Sequence, residues 1–90
     1  MYKGIYDHRV LKEDFQEIDK KNQKDIFKII EKKILRDPEK FGQRMRAPLS
    51  SCYKLKVGSY RIIYIIKESI ITIFKIGHRR SVYEKLLKRF

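Results

Sequence analysis

The sequence predicts an α+β domain in which two helices pack on one face of an antiparallel sheet. Up to Ile34 the apolar residues recur at the three- and four-residue intervals of amphipathic helices. From Cys52 to Ile76 the chain is dense in Ile, Tyr and Val, and two turn pairs, Gly58-Ser59 and Glu68-Ser69, divide it. No linker, repeat or low-complexity tract separates these halves, so residues 1–90 read as a single domain.

Tyr2 to Tyr6 has an aromatic residue or Ile at positions 2, 5 and 6, which suits a short edge strand. Asp7 follows as an N-cap for a helix carrying Val10, Leu11, Phe15 and Ile18 on its apolar stripe. Lys20-Lys21-Asn22 marks a break. A second helix then places Ile26, Phe27, Ile30 and Ile34 on one side and Lys and Glu opposite. "RDPEKFG" ends it, because Pro38 disfavours helical backbone in the residue before it. Cys52 to Ile76 gives a three-strand antiparallel meander with tight hairpins. Val82, Tyr83, Leu86, Leu87 and Phe90 are spaced for a short C-terminal helix.

Composition narrows the function. Apolar content of 42% together with 6 Tyr and 5 Phe argues for a folded core and against a disordered chain. The apolar runs are far too short to span a bilayer, and no secretory signal pattern opens the chain. Cys52 is alone and His8 and His78 lie far apart, so neither an internal disulfide nor a zinc site is expected. The expectation is a reducing, cytoplasmic setting with no membrane, metal or cofactor. Charge points to a partner. Residues 1–43 carry 11 Lys/Arg against 9 Asp/Glu, while residues 44–90 carry 12 against 2. A field so lopsided attracts polyanions, so a nucleic acid or an acidic protein is expected.

The stretch "CYKLKVGSYRIIYI" locates that field. If Gly58-Ser59 is a two-residue hairpin loop, Val57 lies opposite Tyr60, Lys56 opposite Arg61 and Leu55 opposite Ile62. Tyr53, Leu55, Val57, Tyr60, Ile62 and Tyr64 then form an apolar face for the helices. Lys54, Lys56 and Arg61 land on the other. Like charges directly across a strand pair are mildly destabilising, so a cluster kept at that cost suits an anion it must bind. Phosphate fits: Arg offers a planar fork, and a crowded Lys tends to give up its proton and act as a general base. Such parts can cleave RNA by 2′-hydroxyl attack on the adjacent phosphate, or simply bind it.

"GHRRSVYEKLLKRF" adds more. Arg79 and Arg80 suit a phosphate contact or a solvated strand end. Tyr83 fits the core or a base-stacking platform equally well. His78 carries an imidazole, the side chain suited to proton transfer, and is a candidate for that role or a structural residue; His8 reads as surface.

"MRAPLSSCYKLKVGSYRIIY" and "IGHRRSVYEKLLKR" together resemble RelE-type toxins of the RelE/ParE superfamily, and the order of elements agrees over essentially the whole chain. The resemblance implies a RelE-like fold and an active site of Lys54, Lys56, Arg61, Arg79 and Tyr83, with His78 and Arg80 as possible participants. It implies ribosome-dependent mRNA cleavage by a type II toxin, without metal, and a cognate acidic antitoxin. Two rivals remain: a ParE-like inhibitor of DNA gyrase, and a non-catalytic protein that uses the fold only to bind.

Overall fold

Asp7 ends the first strand and starts the first helical segment. The computed structural model describes residues 2–90, with β1 over Lys3–Tyr6. The Asp7 carboxylate accepts the Arg9 backbone N–H at 2.9 Å, which is the expected N-cap bond. The helical segment that follows is irregular: Val10–Asp14 is a π-turn and Phe15–Glu17 a 3-10 turn. The wider π-turn bonds Phe15 N–H to Val10 O and brings both side chains into the core. Leu11, expected on the same stripe, is rotated outward and is 49% exposed. Asp14 is buried instead.

The break falls at Ile18-Asp19, and not at Lys20-Lys21-Asn22. Asp19 is extended, and Lys20 already opens α1 (Lys20–Ile29). The Asp19 carboxylate holds the Asn22 amide, so the residues expected to interrupt the helix form its first turn. A second π-turn, Ile30–Ile34, prolongs α1 and keeps Ile26, Ile30 and Ile34 buried. Asp37 then caps a short α2 (Pro38–Phe41) with Pro38 in its first turn.

The remaining elements are β2 (Gln43–Arg44), β3 (Cys52–Val57), β4 (Tyr60–Lys67), β5 (Ile70–His78) and α3 (Val82–Leu87). The five strands form one sheet in the order β1-β5-β4-β3-β2. The expected meander is present, and β1 is the expected edge strand, parallel to β5. β2 is an addition. Its two residues pair with Tyr53 and Lys54, too short a match for periodicity to reveal.

The β3–β4 register is the one that the Gly58-Ser59 loop requires: Val57 opposite Tyr60, Lys56 opposite Arg61, Leu55 opposite Ile62. Gly58 takes the left-handed φ of 58° that such a turn needs. The face with Tyr53, Leu55, Val57, Tyr60, Ile62 and Tyr64 packs with Ile71, Ile73 and Ile76 against the helices. Tyr64 is buried there and donates its hydroxyl to Pro38 O at 2.5 Å, which ties α2 to the sheet. A Cβ on Gly42 would lie 1.7 Å from that hydroxyl, so the close approach requires glycine.

The opposite face is not wet along its length. The β4–β5 register shifts between Ile63, opposite Lys75, and Tyr64, opposite Ile73, which leaves Phe74 as the extra residue of a bulge. Phe74 thereby joins a second cluster of Cys52, Ile63, Val82 and Leu86, with Met45, Leu49, Ile65 and Tyr83 around it. Ile63, Ile65 and Phe74 would otherwise meet water, and α3 with the 45–51 loop covers them. No helix among the described residues is long and apolar enough to cross a membrane.

Candidate active site

Lys54, Lys56 and Arg61 share this second face, set there by strand alternation. Lys56 is exposed and Lys54 and Arg61 are half-buried. Arg61 donates one guanidinium nitrogen to Gly58 O at 3.0 Å and Tyr60 O at 2.9 Å. That clamps the stem of the fork to the hairpin tip and leaves its other nitrogens without a protein partner among the described residues. The same tip receives β5: Arg79 N–H donates to Ser59 O at 2.8 Å. Arg79 and Arg80 therefore leave the sheet beside the Arg61 turn, both exposed.

Tyr83 arrives from the other side. Ser81 starts α3, Val82 and Leu86 anchor it in the second cluster, and Tyr83 is left at the cluster's rim. Lys54 Nζ lies 5.6 Å from the Tyr83 ring centroid, a cation–π distance. Spacing alone left Tyr83 open between core and site; it packs on the cluster and also touches the cationic face. Together these two residues border an open hollow of about 450 Å³ whose other walls include Gln43, Arg44, Met45 and Arg46. Arg44 and Arg46 were not sequence candidates. The pair was visible as a basic run, but only the β2–β3 pairing brings it beside Lys54. Arg44 also braces the loop, donating Nε to Ser50 O at 2.9 Å.

His78 stands apart from this group. It pairs with Tyr60, on the helix-covered face, whereas Arg61 pairs with Gly77. Its ring meets the Tyr60 ring edge-on at 5.8 Å, and its Nδ1 accepts the Arg80 N–H at 3.2 Å. The geometry gives it a hold on the turn that carries Arg79 and Arg80, not a place among Lys54, Lys56 and Arg61. His8 is on the surface, as expected.

The electrostatics separate the site from the rest of the molecule. Every ion pair among the described residues involves Asp7, Glu13, Asp14 or Glu17. None reaches Lys54, Lys56, Arg61, Arg79 or Arg80. The cations of the hairpin face thus keep their full potential, next to an aromatic ring and an open hollow. Such a surface can take a phosphate between guanidinium forks and a flat base against Tyr83.

The model of the family described as the ParE toxin of type II toxin–antitoxin systems matches residues 5–83. Among solved structures, the chain is similar to the toxin–antitoxin complex RelBE2 from Mycobacterium tuberculosis, at 19% identity and a TM-score of 0.80, over 87% of this chain and 98% of that one. It is similar to the isolated E. coli RelE toxin at 24% identity and a TM-score of 0.68, over 99% and 98% of the two chains. For the RelB–RelE complex from Methanococcus jannaschii the values are 20% and 0.70, over 90% and 96%. No curated protein matches the chain significantly. At these identities the structural likeness is one of fold, and it agrees with the α+β, RelE-like class read from the sequence. The family match carries further, because it runs from β1 to Tyr83 at the rim of the hollow: the chain belongs to the ParE toxin family of type II toxin–antitoxin systems, within the RelE/ParE superfamily.

Proposed function

We propose that this toxin is an endoribonuclease, an mRNA interferase that cuts messenger RNA on the ribosome and so blocks translation. The observation that carries the reading is the acid-free set of Lys54, Lys56 and Arg61 with Lys54 beside the Tyr83 ring. In the proposed reaction the ribose 2′-oxygen bonds to the adjacent phosphorus and the bond from phosphorus to the 5′-oxygen breaks. Lys54 and Lys56 serve the proton leaving the 2′-hydroxyl and the proton gained by the 5′-oxygen. The products are a 2′,3′-cyclic phosphate and a 5′-hydroxyl. Arg61, with Arg79 or Arg80, stabilises the charge that builds on the phosphoryl oxygens. Tyr83 stacks on a base and aligns the scissile bond. His78 shapes the arginine turn in this scheme. No metal or cofactor is assigned a part.

The hollow is open and the domain small, so the RNA needs a second surface to hold it. A ribosome with an exposed codon provides one, and the formal charge of +12 suits docking on ribosomal RNA. On this reading the toxin acts in the cytoplasm. Two of the similar structures are complexes of a toxin with its antitoxin. By analogy, this chain pairs with a cognate antitoxin, whose acidic segment folds against the basic half.

The family match also supports a second reading, inhibition of DNA gyrase, since the matching family bears the ParE name. One experiment separates the readings. Primer extension on programmed ribosomes should show defined cuts within codons, with little cleavage of the same RNA alone. Loss of supercoiling activity with intact message selects the gyrase reading, and binding with neither effect selects a silent binder.

A further inference from the structure

α3 has only six residues, Val82–Leu87, too few for a helix to hold itself. Val82 and Leu86 anchor it in the second cluster and Phe90 packs on Phe74 at 5.0 Å between ring centroids, while Leu87 and Phe90 stay 55% and 62% exposed. A polar hold on the element that carries Tyr83 adds to this packing. Directly after α3, Arg89 folds back. Its Nη2 donates to Asp14 Oδ1 at 2.6 Å, its Nη1 to Asp14 Oδ2 at 3.1 Å and to Phe74 O at 2.9 Å. Asp14 also accepts Lys75 Nζ at 2.7 Å and the Ile76 backbone N–H at 2.9 Å. All three side chains are nearly closed to water, at 1% for Asp14, 6% for Arg89 and 7% for Lys75.

The bonds fall at the bulge of β5. β1 pairs with β5 only as far as Ile73, so the Ile76 N–H has no strand partner on that side, and Asp14 takes its place. The carboxylate reaches it because the π-turn rotates Asp14 inward. One carboxylate thus joins the first helical segment, the bulge and the tail of α3. At the other end of α3, Arg79 N–H is held by Ser59 O. The element bearing Tyr83 is pinned at both ends.

We propose that Asp14, acting through Arg89, is a positioning residue for Tyr83. The buried Asp14–Arg89 clamp sets where α3 lies, and hence where the Tyr83 ring stands against Lys54 and the hollow. This rests on the reading of Tyr83 as part of the site. It also makes a claim that a purely structural ion pair does not: loss of the clamp acts on function only through Tyr83.

The test is a double-mutant cycle with Arg89→Met and Tyr83→Ala, in the full chain. Arg89→Met removes the guanidinium but keeps its stem against the sheet. Amide exchange should quicken over residues 83–90 and stay slow in β4. Cleavage on programmed ribosomes should fall roughly 10-fold in kcat with KM little changed, the scale of a modest misplacement. In the Tyr83→Ala background the same substitution should cost less than about 2-fold, because coupled residues are not additive. Arg89→Lys, which restores the charge but not the fork, should recover only part of the loss. Equal losses in both backgrounds, or unaltered exchange in α3, overturn the proposal. If the unaltered protein cuts nothing on ribosomes, the nuclease reading fails, and the exchange experiment still decides whether the clamp holds α3.

Discussion

Lys75 and Arg89 share one buried carboxylate at the β5 bulge, while Lys54, Lys56 and Arg61 sit at the β3–β4 hairpin with no acid within ion-pairing distance. The residue types are the same. What differs is where their donors go. At the bulge Asp14 and Phe74 O take them, so the charges serve to join elements distant in sequence. At the hairpin Arg61 gives one nitrogen to turn carbonyls, and among the described residues no acid or hydrogen-bond acceptor answers the lysines, Lys54 meeting only the Tyr83 ring. A satisfied cation is fixed in place by its own protein. An unsatisfied one, held by strand register opposite another cation, is free for an outside anion. The molecule places its buried acid where elements join and leaves the hairpin face free of it.

The contrast breaks most visibly in stability. Asp14→Asn leaves buried Lys75 without a counter-charge and Arg89 with only the exposed Glu13 at 3.8 Å, and such a loss costs about 3–5 kcal/mol. Guanidinium unfolding should show the midpoint falling accordingly. Lys56→Ala should cost almost nothing or stabilise slightly, since a like-charge pair across the strands contributes only about 0.2–1 kcal/mol. A comparable loss in both variants would erase the distinction between the clusters.

Activity should invert that order. On the nuclease reading Arg61→Ala removes a charge that would face the phosphate, and removing one donor of this kind lowers turnover by about 10²–10³-fold. Its stability should change by no more than about 1 kcal/mol, the scale of the turn hydrogen bonds lost. Cleavage on programmed ribosomes, with circular dichroism to show that the variant is folded, measures both. An Arg61→Ala protein of full activity removes the hairpin face from the mechanism.

A third test asks whether the open cluster binds anions at all. A short RNA whose ribose at the cleavage site lacks the 2′-hydroxyl cannot react, yet it should bind and raise the unfolding temperature. Binding at a hundredfold excess over Kd is worth about 2.7 kcal/mol. The gain should fade with salt and disappear in a Lys56→Ala/Arg61→Ala double variant, because the backbone contacts are ionic. A protective effect untouched by that double variant places the anion elsewhere.

The hairpin cluster was legible in the sequence, and the bulge cluster was not. A two-residue Gly58-Ser59 loop fixes register by counting, so the face shared by Lys54, Lys56 and Arg61 follows from spacing alone. Asp14 meets Lys75 and Arg89 across 61 and 75 positions, which no local pattern links. Two irregularities make the meeting possible: the π-turn that turns Asp14 inward and the bulge that adds Phe74 to the strand. The same departures from strict period turned Leu11 to solvent and made the second face half covered. His78 was read by its chemistry and not by strand parity, which places it with Tyr60. The hollow's Arg44 and Arg46 depended on a strand too short to see.

Between the two clusters stands a third arrangement, Asp7 with Arg9, partly open to water on both sides, at 14% and 29%. Its two oxygens accept the Arg9 Nε and Nη2 at 2.9 Å, and one also takes the Arg9 backbone N–H. The Arg9 hydrogen bonds hold the Asp7 carboxyl down to about 2, against a smaller opposing effect of burial. The folded value lies below the unfolded one, so this stabilisation is complete above about pH 4 and is lost as pH falls through about 2. Asp7→Asn keeps a good N-cap while removing the charge, so it isolates the ionic part. The variant should lose less at neutral pH than Asp14→Asn, because the pair is partly hydrated. Its urea midpoint should also depend less on pH between about 4 and 2 than that of the parent protein. If the two profiles run parallel over that interval, Asp7 behaves like the unpaired charges of the hairpin face and not like the clamp at the bulge.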